Sequence, residues 1–310
     1  MKGPYFFAKI LLFGEYGIIN DSMGLSLPFN HFKGSLITSK KRLDLIQLKS
    51  HKRVKSFINS LKLINSKVVS FDLDKIRNDI QNQIYFDSNI PQGYGVGSSG
   101  ALVAAVYDRY AKNKINCLEN LTNNKLLKLK LIFSQMESFF HGKSSGLDPL
   151  NCYLNLPILI KSSKKIESIS IPSQNINGKG AIFLLDSGSA GKTASMVNLF
   201  MKNMKTDSFF KMIKDQFILT TNKCVEYFLK SNQKKLFMHL KKLSKLVFIN
   251  FKPMIPDQFK DIWLKGINND LYYLKLCGSG GGGYILGFTQ NWIKAKNELK
   301  EFNLCPIYHF

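Results

Sequence analysis

The sequence predicts an α+β protein of two domains. Three observations carry that expectation. Short apolar, strand-like runs are interspersed with long stretches whose apolar residues recur at helical spacing. A polar segment, Pro172-Ser173-Gln174-Asn175-Ile176-Asn177-Gly178-Lys179-Gly180, interrupts that pattern and reads as a linker. The 310 residues are 45% hydrophobic, enough to bury a real core. No run reaches the roughly 18 apolar residues that would suggest a membrane span.

Phe6 to Phe13 reads as the first strand, apolar around Lys9. Gly14-Glu15-Tyr16-Gly17 then turns the chain, and Ile18-Ile19 resumes an apolar run. Residues 33–67 mix short apolar runs with Lys, Arg and Ser, and read as strands plus a mobile helical segment. Residues 83–86 favour a strand, since Ile, Tyr and Phe suit a pleated surface. Residues 91–100 form a glycine-rich loop, and 101–107 a buried helix opening directly from it. Residues 126–141 are helical in spacing and break at Gly142. Residues 153–160 and 166–171 read as strands. Beyond the linker, 181–185 begins a second unit with a strand, and 195–250 holds long amphipathic helices. Residues 273–276 and 284–288 are strands flanking a run of glycines. No internal repeat is present.

The N-terminus, Met1-Lys2-Gly3-Pro4-Tyr5, lacks the layout of a signal peptide, so a cytoplasmic location is expected. The five cysteines (Cys117, Cys152, Cys224, Cys277, Cys305) have neither metal-ligand nor redox spacing and read as reduced thiols. With 44 Lys and Arg against 21 Asp and Glu, the formal net charge is +23. Such a charge raises nucleic acid as a partner. The lysines, however, are scattered among Asn and Ile and form no basic arm. The reading is compositional drift of the surface, with no nucleic-acid or membrane partner. A basic surface would still gather small anions.

Three glycine-bearing segments stand out. The first is Ile90-Pro91-Gln92-Gly93-Tyr94-Gly95-Val96-Gly97-Ser98-Ser99-Gly100. Its glycines allow positive φ and close approach to a ligand. The inward N–H groups and the start of the following helix suit an anion, and a phosphate chain is the natural guest. The two serines add hydroxyls for phosphate or a magnesium ion. No Gly-Lys-Ser/Thr closes the loop, so it is not a Walker loop. Gly95, Gly97 and Gly100 also fit a dinucleotide fingerprint with Glu119 as the ribose ligand, but no strand ends at Glu119. The second segment is Ala8-Lys9-Ile10-Leu11-Leu12-Phe13-Gly14-Glu15-Tyr16-Gly17. A lysine inside an apolar strand is costly unless it is paired or functional. Alone, Lys9 reads as an edge-strand lysine facing water. The third is Cys277-Gly278-Ser279-Gly280-Gly281-Gly282-Gly283, a hairpin or a place where the chain passes close to a ligand or another backbone. Two acids follow the first loop: Glu137 late in a helix, and Asp148 in Gly146-Leu147-Asp148-Pro149. Each alone reads as a surface or turn residue. Together they offer an oxygen ligand for magnesium and a carboxylate beside an attacking hydroxyl.

In this order, the three segments resemble the three motifs of the GHMP kinases. Residues 91–100 are similar to the family pattern Pro-x-x-x-Gly-Leu-Gly-Ser-Ser-Ala, with Val96 for Leu and Gly100 for Ala. Within the family the resemblance is greatest to mevalonate kinases. Glu137 with His141-Gly142-Lys143-Ser144-Ser145-Gly146-Leu147-Asp148 resembles their acid helix and the segment after it. Asp186-Ser187-Gly188-Ser189-Ala190-Gly191-Lys192-Thr193 resembles their Asp-x-Gly-x-x-x-x-Thr segment. Phe7-Ala8 stands where Pro-Gly is usual, Tyr16 where His is frequent, and Cys277 and Ser279 where Thr and Ala are common.

The resemblance implies a two-domain GHMP kinase fold. Residues 1–175 would form an N-terminal mixed α/β nucleotide-binding domain and 176–310 a C-terminal ferredoxin-like domain, with the active site between them. It implies ATP-dependent phosphorylation of a small-molecule hydroxyl, with mevalonate as substrate. Phosphomevalonate, homoserine, a sugar, a decarboxylase cousin or a silent ligand-binding relative are the alternatives. It implies that Pro91, Gly93, Gly95, Gly97, Ser98, Ser99 and Gly100 bind ATP. Ser99 and Glu137 would hold Mg2+. Asp148 would orient the hydroxyl, with Lys9 keeping it ionised. Glu15, Thr193, Gly280 and Gly281 would stand on the substrate side. Such kinases are often homodimers, although no interface is legible in the sequence.

Overall fold

The computed structural model describes residues 2–64, 67–117 and 120–310. Glu119, the candidate ribose ligand, lies outside the described residues. The fold holds two antiparallel sheets with helices packed on them.

The first sheet is built around β1 (Phe6–Phe13) and β2 (Gly24–Ile37), which pair antiparallel. β1 is an apolar run with six of its eight residues buried, as a strand covered on both faces requires. The far half of β2 pairs with β3 (Tyr85–Ser88) through residues 34–37. Its near half pairs with β4 (Ile158–Ser162), which pairs in turn with β5 (Lys165–Ser168). Between β2 and β3 lie α1 (Leu45–Ser60), opened by an Asp44/Gln47 capping box, and α2 (Leu73–Gln81). Against the sheet pack α3 (Ser98–Tyr110), α4 (Asn123–His141) and α5 (Leu147–Leu154).

Residues 153–160, expected as one strand, are divided. Tyr153 and Leu154 end α5, and β4 begins only at Ile158. The cause is Pro149. In the first turn of a helix a missing N–H costs nothing, so Gly146-Leu147-Asp148-Pro149 opens a helix rather than closing a turn. Asn155, in the left-handed region, stops it. Ile18-Ile19 sits in a 3-10 turn, Gly17–Asn20, rather than in a strand. The helix after the glycine loop starts at Ser98, not at residue 101.

The second sheet takes β6 (Ala181–Asp186), β7 (Tyr272–Leu276), β8 (Tyr284–Thr289) and β9 (Leu304–His309) in the order β7-β8-β6-β9, all neighbours antiparallel. The first crossover holds α6 (Thr193–Asn203), α7 (Asp207–Met212), α8 (Ile218–Leu229), α9 (Gln233–Asn250) and α10 (Lys260–Asn269); the second holds α11 (Trp292–Glu298). This is a split β-α-β with a hairpin and a second crossover, the ferredoxin-like order. One π-turn, Ile213–Phe217, joins α7 to α8. The halves meet through aromatic contacts: Phe13 of β1 stacks on Phe288 of β8 at 5.6 Å, and Tyr94 meets Tyr284 edge-on at 5.0 Å. The five cysteines are free, and among the described residues no helix is long and apolar enough to cross a membrane.

Candidate active site

The glycine loop docks on β1, where Lys9 donates its backbone N–H to the Val96 carbonyl at 3.0 Å. Gly97 caps α3 from the left-handed region, at φ 81°. That geometry puts Ser98 and Ser99 in the first helical turn, where backbone N–H groups lack helical partners and the helix dipole is positive. Gly95 is left-handed too, and a Cβ there would be driven into the Cys277 carbonyl. The loop's glycines therefore serve close packing of two backbones. Gly100, where the family has Ala, lets α3 pass the start of α5: a Cβ would lie 2.8 Å from the Asp148 carbonyl carbon.

That approach assembles the acids. Lys9 Nζ lies 2.8 Å from Asp148 Oδ1. The lysine side chain is 3% exposed and the aspartate 40%. Burial works against the Lys9 ammonium, but its attraction to Asp148 and the hydrogen bond it donates to that carboxylate outweigh it and raise its pKa. Lys9 is thus a paired inward cation and not an edge lysine facing water. Glu137, on α4, is buried and accepts hydrogen bonds from Ser99 Oγ at 3.0 Å and from Ser144 Oγ. Burial first, and the Asp148 charge second, raise its pKa from 4.5 to about 7, while the two hydroxyls and Lys9 oppose. Cys152 and Cys277 are also buried here. Burial pushes the Cys277 thiol up to about 12 and Cys152 well above its ordinary value, so neither is a thiolate.

The third loop closes over this set. Gly283 N–H donates to the Ser189 carbonyl at 2.6 Å, and Gly191 N–H to the Gly93 carbonyl at 2.8 Å. Three segments far apart in sequence therefore share one backbone network. Ser279 Oγ lies 3.3 Å from Thr193 Oγ1, at the exposed start of α6. Two residues expected on the substrate side lie elsewhere. Glu15 is 7% exposed and closed by an ion pair with Lys275, so it stands behind the site. Gly280 is buried, with its missing side chain aimed at the Met254 carbonyl. Gly281 is exposed but abuts Met196. Tyr16, too, is a buried brace: its ring stacks on Phe200 and its hydroxyl donates to the Ser279 carbonyl at 2.6 Å.

Ile90, Gln92 and Ser98 border a cleft of about 370 Å³ together with Lys49, Ser50 and Arg53 of α1. It runs from the first turn of α3 toward a basic helix face, a shape and charge suited to a nucleotide. Sequence reasoning missed four contributors. Ser144 enters the sequence reading only as part of a motif. Lys49 and Arg53 sat in a segment read only as strands and a mobile helix. Lys275 is a lysine inside the apolar strand Tyr272–Leu276, and the cost argument applied to Lys9 would have found it.

Residues 62–155 match the family described as the GHMP kinases N terminal domain. Solved structures match along nearly the whole chain, at identities that speak for the fold alone. The mevalonate kinase of Methanococcus jannaschii is 18% identical, with TM-score 0.61 and coverage of 100% of this chain and 98% of that one. Mevalonate kinase of L. major in complex with R-mevalonate is 15% identical, TM-score 0.62, covering 97% and 90%. Streptococcus pneumoniae phosphomevalonate kinase, in complex with phosphomevalonate and AMPPNP, is 14% identical, TM-score 0.61, covering 99% and 98%. No curated protein matches the sequence. Residues 62–155 are thus similar to the GHMP kinase N-terminal domain, and the chain has the two-domain α+β fold of those enzymes. Mevalonate kinases recur among its structural neighbours, beside phosphomevalonate kinase and a galactokinase.

Proposed function

We propose that this protein transfers the γ-phosphoryl group of ATP to the hydroxyl of a small anionic alcohol, and that the alcohol is mevalonate. The observation that carries the reading is the Lys9–Asp148 pair: buried on the lysine side, open on the carboxylate side, and set beside the first turn of α3. The open carboxylate accepts a hydrogen bond from the substrate hydroxyl, aims its oxygen at the γ-phosphorus and takes its proton. As the new O–P bond forms, the bond to the β-phosphate oxygen breaks and ADP leaves. Lys9 keeps Asp148 ionised and offsets charge gathering on the transferred group. The N–H groups of loop 93–97 and of Ser98 and Ser99 hold the phosphates, and the basic cleft takes the rest of the nucleotide. Most of the acceleration is positioning and fixed charge, as phosphoryl transfer generally requires.

Ser99 and Glu137 fit a magnesium ion. Both offer hard oxygens, and a carboxylate raised to about 7 and wedged between two hydroxyls has reason to welcome a cation. Bound there, the ion would supply charge neutralisation for the β- and γ-phosphates. Mevalonate as substrate is supported by the motif resemblance and by the neighbours whose names carry it. Phosphomevalonate is the second reading, because Tyr16 replaces the frequent His and its hydroxyl is already engaged by Ser279.

The test is ATP consumption with magnesium against mevalonate, phosphomevalonate, diphosphomevalonate, homoserine and galactose, with product mass as readout. Turnover on mevalonate, giving a product heavier by one phosphoryl group, is the expected result. Turnover on another alcohol moves the substrate; silence across the panel with ATP bound rejects the reading.

A further inference from the structure

Behind the Lys9–Asp148 pair lies a second buried polar group that the mechanism does not use. Glu15, in the turn after β1, pairs with Lys275 at the end of β7, joining the two halves of the fold across 260 residues of sequence. Lys275 Nζ also donates to the Leu276 carbonyl at 2.9 Å. Two of its three N–H donors are therefore placed, and the third has no hydrogen-bond partner among the described residues. Beside the pair is a cavity of about 10 Å³, bordered by Glu15, Lys275, Thr221, Phe217 and Phe251, all buried. Thr221, on α8 and 1% exposed, borders it with a hydroxyl that has no partner among the described residues. A buried hydroxyl without a partner and a buried ammonium proton whose only further contact among the described residues is the Phe13 ring at 5.9 Å, beside a void the size of one water, describe a hydration site.

What this group holds is as informative as what it lacks. Lys275 is two residues from Cys277, whose carbonyl packs on Gly95. The end of β7 thus sets where loop 277–283 meets the glycine loop that opens α3.

We propose that Glu15, Lys275 and Thr221 form a buried polar cell that binds one water molecule and fixes the end of β7, so that these residues position the phosphate loop and the Lys9–Asp148 pair without touching substrate. The part concerning turnover rests on the kinase reading; the part concerning the water and the loop does not.

The experiment compares wild type with Thr221→Val, Lys275→Met and the double variant Glu15→Gln/Lys275→Met. It uses a high-resolution crystal structure of the wild type, melting temperature, amide exchange of residues 277–283, and kcat and KM with ATP. The wild-type crystal is expected to show an ordered water between Thr221 and Lys275; an empty cavity overturns the hydration site. Lys275→Met alone strands a buried carboxylate and lowers the melting temperature, and the neutral double variant regains most of it. In that double variant, exchange of 277–283 is expected to stay about tenfold faster and kcat about tenfold lower, with KM for ATP within about twofold. Recovery of both exchange and kcat along with stability would reduce the pair to a structural filler and overturn the positioning role. If neither lysine variant folds, Thr221→Val carries the same test, with a smaller increase in exchange expected and unchanged exchange contradicting it. A wild type silent on every alcohol removes the kinase reading but leaves the crystal and exchange results decisive for the cell.

Discussion

Two buried lysine–carboxylate pairs stand back to back in this molecule, and they differ in one respect. In Lys9–Asp148 the lysine is 3% exposed and the acid 40%; in Lys275–Glu15 the two are 5% and 7%. Both lysines sit in apolar strands, and both are held against the desolvation that burial imposes. Only Asp148 keeps a side free for a guest. The open pair can do chemistry because its acid has an unfilled hydrogen-bonding face. The shut pair can only hold shape, and it holds the strand end that the third glycine loop leaves from.

The comparison can be broken most directly through the lysines. Lys9→Met is expected to lower kcat by roughly a thousandfold, since fixed charge beside the transferred group is lost. Its effect on melting temperature is expected to be the smaller of the two lysine variants, because the half-exposed Asp148 can be hydrated. Lys275→Met is expected to cost about 3–5 kcal/mol of stability, measured by urea unfolding, because Glu15 is left buried and unpaired. If the order of the two stability losses came out reversed, the distinction between an open and a shut pair would fall.

Glu137 sharpens it further through pH. Its folded pKa is raised from 4.5 to about 7, so the fold binds more protons than the unfolded chain between those values. The stability linked to this proton is full below about pH 4.5 and is lost as pH rises through about 7, roughly 3 kcal/mol by the size of the shift. Glu137→Gln should flatten that part of a stability–pH curve measured without magnesium. An unchanged curve would mean that the carboxylate is ionised in the fold at all these pH values. The smallest effect is expected from Gly100→Ala. It restores the residue usual in the family, yet should cost about 1–3 kcal/mol by pressing α3 away from α5. Calorimetric melting would read the cost, and a neutral result would show that the two helices can part freely.

Much of this site was legible in the sequence because its pieces are local. The glycine loop with Ser99 stands out within one short motif; Lys9, Glu137 and Asp148, each ordinary alone, stand out only as a set, and the fold brings that set together. What was not legible depends on partners far along the chain. Nothing near Glu15 names Lys275, and nothing near Tyr16 names Ser279, 263 residues away. The start of α5 is a local signal of another kind: Gly-Leu-Asp-Pro suits a turn, but proline in a first helical turn suits a helix opening, and the chain takes the second. The third loop was read as approaching a ligand or another backbone. At Gly95 and Cys277 it approaches backbone.

The central claim is that Asp148 is the group that meets the substrate hydroxyl. Its most direct test is single-turnover phosphorylation of mevalonate by Asp148→Asn and wild type, with ATP affinity measured on the same samples. Phosphoryl transfer is expected to fall by about a thousandfold or more while ATP binds within a few-fold of wild type. Transfer at the wild-type rate would contradict it and leave the Lys9–Asp148 pair as one more structural contact.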